Sequence, residues 1–450
     1  MSEWQTHMSN HSTLNSHSLK YSTVPTFVKM FLLLLFGTLC FISPIFEPDS
    51  GGYIDNSVIR SPLYPIILSI YTKIFDKNFF HILIVIQLLA GFSAAIFLAS
   101  TLKRLFVLPN IVFYLVALGL LAPYYSHPLF GNKILPEAVC YPLFLLYFSY
   151  LLEGLQYKKS KKLIIAMGLA GLLVLTRKQF LFLYPATGII LIYILLFERR
   201  VFKTFTLLIC FLLSMVGTTL AERTYQYIYH GQFKSVPFTG MQLIIAPLYL
   251  AHPTDEELFE NETERALFKD IFATMSDKKI NFNSLPQRDS YFHVATYTQF
   301  YANYNHICWQ FLAPLLAKYP LNTVYERDTT LTHMAIILIL NNLKGFFTLY
   351  LLNIVFNIGG IYFVLLLCLT TLAALNAFIK ARHPFALCYL LASLLTAGNY
   401  FLIALVEPVL PRYSGYTDSI QMVTLLILIT AAFQAQQAFF SQRSQLKRDL

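Results

Sequence analysis

Two carboxylates, an arginine and two tyrosines crowd one short stretch of the chain. It reads Glu47-Pro48-Asp49-Ser50-Gly51-Gly52-Tyr53 and runs on to Arg60-Ser61-Pro62-Leu63-Tyr64-Pro65. The stretch follows a long apolar run directly, so it stands where a membrane helix would end, and Gly51 and Gly52 make a backbone turn cheap there. A carboxylate at a bilayer edge can meet water, an acceptor hydroxyl and a lipid headgroup together. It can orient or deprotonate that hydroxyl. An arginine can hold a phosphate through two parallel hydrogen bonds and stabilise charge as it leaves.

Residues of the same kinds recur at the ends of other apolar runs: Lys133 and Glu137, Arg177, and Arg412-Tyr413. A lipid phosphate–sugar would need such a set, with aromatic rings to bracket the sugar, and Tyr53, Tyr64, Tyr124, Tyr125 and Tyr413 are available. The catalytic candidates are Asp49 and Glu137, with Glu47 behind Asp49. The substrate-binding candidates are Tyr53, Arg60, Tyr64, Lys133, Arg177, Arg412 and Tyr413. Each has a structural alternative. Glu47 and Asp49 could end one helix or cap the next, Glu137 suits a helix start through the dipole, Arg177 could be a turn residue, and Arg412 could anchor an interface. His127 reads as a polar loop residue. What favours chemistry is the number of these groups that would share one face, and that depends on the elements that carry them.

Those elements are membrane helices. Of 450 residues, 56% are hydrophobic and only 12% charged, against roughly 25% charged in soluble domains. The apolar runs come close to the ~20 residues that cross a bilayer. The fold class is therefore an all-α polytopic membrane protein with about ten transmembrane helices. The expected spans are 26–46, 79–102, 105–122, 138–155, 163–176, 180–197, 204–221, 354–379, 385–406 and 417–437. Interfacial helices are expected at Leu63–Phe75, in the first external loop, and at Met334–Tyr350. The net charge of +10 is no sign of nucleic acid, because the basic residues cluster in short loops between apolar segments. The six cysteines show neither disulfide nor zinc spacing.

Lys103/Arg104, the lysines of 158–162, Arg199/Arg200/Lys203, Lys380/Arg382 and Arg443/Lys447/Arg448 fall on one side if the spans alternate. The positive-inside rule makes that side the cytoplasm. Both termini are then cytoplasmic, and every carboxylate-bearing loop faces outward from a cytoplasmic (inner) membrane. The domains follow. Residues 1–22 are a disordered tail, without the apolar core of a signal peptide and more plausible as disorder than as a histidine metal site. Residues 23–221 form an N-terminal membrane module with external loops at 47–78 and 123–137. Residues 222–352 make a mainly helical external region, 353–437 the C-terminal membrane helices, and 438–450 a cytoplasmic tail. In the external region Thr254 with Glu257 reads as a capping box opening a helix that carries Phe268, Ile271, Phe272 and Met275.

Asp49-Ser50-Gly51-Gly52-Tyr53 with Arg60-Ser61-Pro62-Leu63-Tyr64-Pro65 resembles the first external loop of GT-C membrane glycosyltransferases. The closest likeness is to the bacterial dolichyl-phosphate-mannose-protein mannosyltransferase type and to lipid A aminoarabinose transferases. Glu137 resembles the family's second external acid, Gly171–Arg177 its hairpin ending in Thr-Arg, and Pro411-Arg412-Tyr413 its late Arg-Tyr. Here Lys178 stands where proline usually follows Thr-Arg. The resemblance implies an inverting transfer of one sugar from a polyprenyl-phosphate donor to a lipid, glycan or protein acceptor. Asp49 would be the base or acceptor-orienting acid, Glu137 its helper, and Arg60, Arg177 and Arg412 would meet the donor phosphate. No cofactor is assigned beyond a divalent cation, which stays open. Some family members use a divalent cation, but no third acid here is placed to demand one, so no metal ligands are named. The alternatives are an O-antigen polymerase or ligase and a lipid-linked sugar transporter or flippase. The absence of charge within the spans and of an internal repeat counts against the transporter. The glycosyltransferase reading expects Asp49, Glu137 and an arginine to converge on one cavity, with an apolar groove into the bilayer.

Overall fold

The computed structural model describes residues 26–75, 79–126, 129–198, 201–284, 294–408 and 410–446. The expected N-terminal tail, His127, Arg199/Arg200 and Lys447/Arg448 lie outside the described residues. Among those described, regular structure is helical, and one isolated β-bridge joins Ile45 to Lys133.

Seven helices are long and apolar enough to cross a membrane: Phe79–Phe106, Glu137–Gln156, Lys178–Glu198, Lys203–His230, Ile361–Ala381, Pro384–Val406 and Arg412–Gln434. The expected spans at 26–46, 105–122 and 163–176 are the helices Thr26–Cys40, Asn110–Tyr125 and Ser160–Thr176, of 15, 16 and 17 residues, the first two shorter than expected and the third longer. At 1.5 Å per residue such helices reach roughly 22–26 Å, short of a straight crossing of a ~30 Å hydrocarbon layer. The segment read as one interfacial helix, Met334–Tyr350, is broken. Val324–Asn341 and Leu343–Asn357 meet at 102°, and the pair could count as an eighth, bent crossing. Asn342 makes the corner, its side chain capping the second helix by accepting from the Gly345 N–H at 3.0 Å. The expected span 354–379 starts later, at Ile361, because Gly359 and Gly360 take φ of +102° and +94° and end the preceding helix. The seventh expected span does not stop at 221; its helix continues to His230.

One large apolar core joins the membrane helices from Leu39 to Ile427, with Tyr141, Phe144, Phe180 and Tyr416 interleaved at its centre. Ile361–Ala381 and Val201–His230 keep large apolar side chains outward, among them Leu365, Leu369, Leu212 and Leu213. Such a surface suits lipid, not water. The helical region of residues 222–352 has a second core around Ile245, Tyr249, Phe268, Ile271, Met275 and Ile307. Its acidic run does not open the main helix there. Pro253–Leu258 is a separate 3-10 turn, in which Asp255 accepts the His252 N–H at 2.7 Å. The helix Glu262–Asp277 is capped by Asn261 instead.

Candidate active site

The first loop is not a turn. Ser50–Ile54 is a short helix, with Ser50 Oγ accepting the Glu47 N–H at 2.9 Å. Neither Gly51 nor Gly52 has a positive φ. Gly52 is needed for another reason: a Cβ there would lie 2.9 Å from Arg60 Nε. The missing side chain lets Arg60 fold back over the helix. Asp49 stands at the N-cap position without a capping bond. Its two oxygens go instead to arginines, Oδ1 accepting from Arg60 at 2.9 Å and Oδ2 from Arg412 at 3.1 Å.

The second acidic loop is fastened to the first by backbone. The Ile45 N–H donates to Asn132 O at 2.8 Å and the Ile134 N–H to Ile45 O at 2.9 Å. Glu47 pairs with Lys133 at 2.6 Å. Glu47 and Lys133 thus clamp two loops together and are not among the residues that line the cavity described below. The clamp delivers Glu137, 2% exposed at the start of its helix, to Arg177 at 2.5 Å. Arg177 lies over Tyr413, its guanidinium 4.3 Å from the ring centre, while Arg412 covers the same ring at 4.8 Å. Tyr53 carries Arg60 on its face at 4.7 Å and meets Tyr64 edge to face. Tyr64 is fully buried and accepts from Gln87 at 3.2 Å, so it supports Tyr53 from beneath. Tyr124 is buried in the membrane core and Tyr125 is exposed away from this cluster.

A cavity of about 580 Å³ opens between these loops and the helical region of residues 222–352. Asp49, Tyr53, Arg60, Glu137, Arg177, Arg412 and Tyr413 all line it. The cavity also takes residues that sequence reasoning did not select: Lys178, Gln179, Glu407, and from residues 222–352 Phe238, Tyr304 and Trp309. Gln179 donates to Asn399 Oδ1 at 2.8 Å and to Tyr413 O at 2.7 Å, locking the Arg177 turn to the C-terminal helices. Lys178 pairs with buried Glu222, which also accepts the Val236 N–H at 2.8 Å. Trp309 stacks on Phe238 within a π-helical turn, His306–Leu312, a distortion found most often at functional sites. Glu407-Pro408 repeats the Glu47-Pro48 signature after an apolar helix, the one signal in the sequence that could have found it.

Four cations and three carboxyls therefore face one space. Burial would raise the Asp49 carboxyl, but Arg60 and Arg412 outweigh it and hold it below the usual carboxylate range. Burial pushes Glu407 the other way, up to about 7, against the pull of Arg177 and Arg412. Such a surface can grip an anionic group between arginines and present a carboxyl to a hydroxyl. Among the described residues no group of three or more His, Cys, Asp or Glu side chains could hold a metal ion, and Asp49 and Glu137 already spend oxygens on arginines.

Residues 59–220 match the family model described as dolichyl-phosphate-mannose-protein mannosyltransferase. The matched stretch contributes Arg60, Glu137 and Arg177 to the cavity, while Asp49, Glu407 and Arg412 lie outside it. No curated protein and no solved structure matches the chain. Over residues 59–220 the chain is similar to the dolichyl-phosphate-mannose-protein mannosyltransferases, and that likeness, with the helical membrane fold, supports a membrane glycosyltransferase of the GT-C type.

Proposed function

We propose that the chain moves one sugar, with inversion, from a polyprenyl-phosphate donor to a lipid, glycan or protein acceptor. The observation that carries this reading is the single cavity shared by Asp49, Glu137, Arg60, Arg177 and Arg412. In it the arginines hold the donor phosphate and neutralise the charge it gains as the sugar leaves. Asp49 fixes Arg60 and Arg412, Glu137 fixes Arg177, and the Asp49 carboxyl orients the acceptor. The aromatic wall of Tyr53, Tyr413 and Trp309 brackets the sugar, and the cavity's apolar side receives the first isoprene units.

The face is assigned by charge. Arg104 and Lys162 meet Glu153 at the bundle end that carries the basic loops, and the cavity lies among the loops that alternate with them. The positive-inside rule makes the basic end cytoplasmic. The reaction then occurs on the outer face of a cytoplasmic membrane.

The test is sugar release. The purified chain in lipid nanodiscs is incubated with farnesyl-phosphate and dolichyl-phosphate sugars, tritiated mannose first, together with a lipid extract as acceptor. The expected result is label leaving the phosphate and free polyprenyl phosphate accumulating in equal amount. A chain that carries intact donor across the bilayer and never releases its sugar would be a transporter, and the proposal would fall.

A further inference from the structure

The arginine pairs leave a gap in the chemistry. Transfer to a hydroxyl needs a group to take its proton, and both acids read from the sequence are engaged. Each oxygen of Asp49 accepts from an arginine. Glu137 accepts from Arg177 through one oxygen and buries the other away from solvent. A carboxylate held by guanidinium groups is a poor base, because its charged form is already stabilised.

Glu407 is placed differently. It lines the same cavity. It ends helix Pro384–Val406 in extended backbone, with φ −152° and ψ 161°, so its side chain leaves the helix axis. Its backbone is held at both ends: its N–H donates to Ile403 O at 2.9 Å, and its carbonyl accepts from buried Asn353 at 3.0 Å. Neighbouring Val406 O accepts from Tyr304 at 3.2 Å, which ties the position to the helical region of residues 222–352. Among the described residues no cation lies within ion-pair distance of its carboxyl. The groups that face it are Arg177, Arg412, Asp49, Tyr413, Tyr304 and Cys308.

We propose that Glu407 is the catalytic base, taking the proton of the acceptor hydroxyl as that oxygen attacks the sugar. The inference rests on the glycosyltransferase reading and deepens it. In the step, the acceptor oxygen forms a bond to the anomeric carbon while the bond from that carbon to the phosphate oxygen breaks. The bonding pair leaves with the polyprenyl phosphate, held by Arg177 and Arg412, and the proton ends on Glu407. Glu137 acts through Arg177, and Asp49 holds Arg60 and Arg412 while its carboxyl orients the acceptor. A carboxyl near neutrality is matched to this task at physiological pH, and burial gives Glu407 that character.

The experiment compares wild type, Glu407→Gln and Glu407→Asp in nanodiscs. It reads transfer of tritiated mannose from the dolichyl-phosphate donor between pH 5.5 and 9, with farnesyl phosphate binding measured in parallel. Wild-type kcat/KM should rise with pH to a plateau above about 7. Glu407→Gln should bind farnesyl phosphate as wild type does, yet lose roughly 100- to 10,000-fold in kcat, the usual contribution of a general base. Glu407→Asp should keep part of the rate with a displaced pH limb, a result that a merely structural role does not give. If Glu407→Gln retains the wild-type rate and pH limb, the proposal is overturned while the glycosyltransferase reading stands. If wild type itself releases no sugar from any lipid-phosphate donor, both fall.

Discussion

Replacing Asp49 by asparagine keeps the shape of the side chain and removes its charge. In the wild type, Arg60 and Arg412 each donate to a separate oxygen, at 2.9 and 3.1 Å. An asparagine has one oxygen and must turn its amide group toward the other arginine, donor against donor. One charge-assisted bond is lost and the remaining one is weakened. A hydrogen bond to a charged group contributes roughly 1.5–3 kcal/mol. With a tenfold change for each ~1.36 kcal/mol, losing one bond corresponds to roughly 10- to 150-fold in kcat/KM if the freed arginine no longer meets the donor phosphate. The Asp49 side chain is 28% exposed, so solvent screening favours the lower half of that range. The assay is mannose transfer and farnesyl phosphate binding by Asp49→Asn in nanodiscs, with thermal unfolding in detergent to show that the variant folds. A second signature is acid stability. Because the folded-state carboxyl of Asp49 is depressed, it stabilises the protein above its unfolded value of ~3.9 and that contribution fades as pH falls through the lower folded value. Asp49→Asn should lack that part of the acid dependence. Wild-type donor affinity and turnover in a folded Asp49→Asn protein would refute the reasoning, since the carboxylate would then not be holding the arginines for catalysis.

Two further substitutions test the supports. Gly52→Ala puts a Cβ 2.9 Å from Arg60 Nε, so the guanidinium must shift and its bond to Asp49 is disturbed; transfer should fall several-fold with little change in thermal unfolding, and unchanged transfer would mean that Arg60 does not need its present place. At the far end of the bundle, Glu153 is 3% exposed in its side chain and meets both Arg104 and Lys162. Removing both cations, as Arg104→Met with Lys162→Met, strands a buried carboxylate and should cost about 3–5 kcal/mol of stability. Glu153→Gln leaves two cations that water reaches and should cost about 1 kcal/mol or less. Equal costs in detergent unfolding would contradict this asymmetry.

Asp49, Glu137, Arg177 and Arg412 were legible in the sequence because a charge at the end of an apolar run stands out, and the alternation of spans put them on one face. The structure brings all four to one cavity. What local sequence could not show was what joins them. Ile45 and Lys133 are far apart in the chain, and only their bridge reveals that Glu47 and Lys133 fasten loops together. The glycines were seen, but for backbone freedom, whereas Gly52 matters for the room it leaves Arg60. Phe238, Tyr304 and Trp309 carry no periodicity that marks a cavity wall, because their shared surface arises from how residues 222–352 pack on the membrane helices. The helix at 26–46 ends short of the apolar run that suggested it, the one at 105–122 begins later than its run, and the one at 163–176 begins earlier, since an apolar run shows composition and not where the helix starts or stops.

Lys178 shows how such a nonlocal contact can replace a local rule. The family resemblance leads one to expect proline after Thr176-Arg177, a ring that would stiffen the turn by fixing φ. Here the turn is stiffened from outside. Lys178 is paired with Glu222, whose other oxygen accepts the Val236 N–H, and Gln179 is bonded to Asn399 and to the Tyr413 carbonyl. These contacts hold the turn against the helix Val201–His230 and against both C-terminal helices. Arg177 therefore reaches Glu137 and Tyr413 from a fixed backbone, φ −159° and ψ 127°, without a proline beside it. Helix Val201–His230 also outlasts its expected end, and the added turns are tied down by side chains: Glu222 accepts the Val236 N–H, Tyr225 donates to Asn56 and Gln226 to Val58 O.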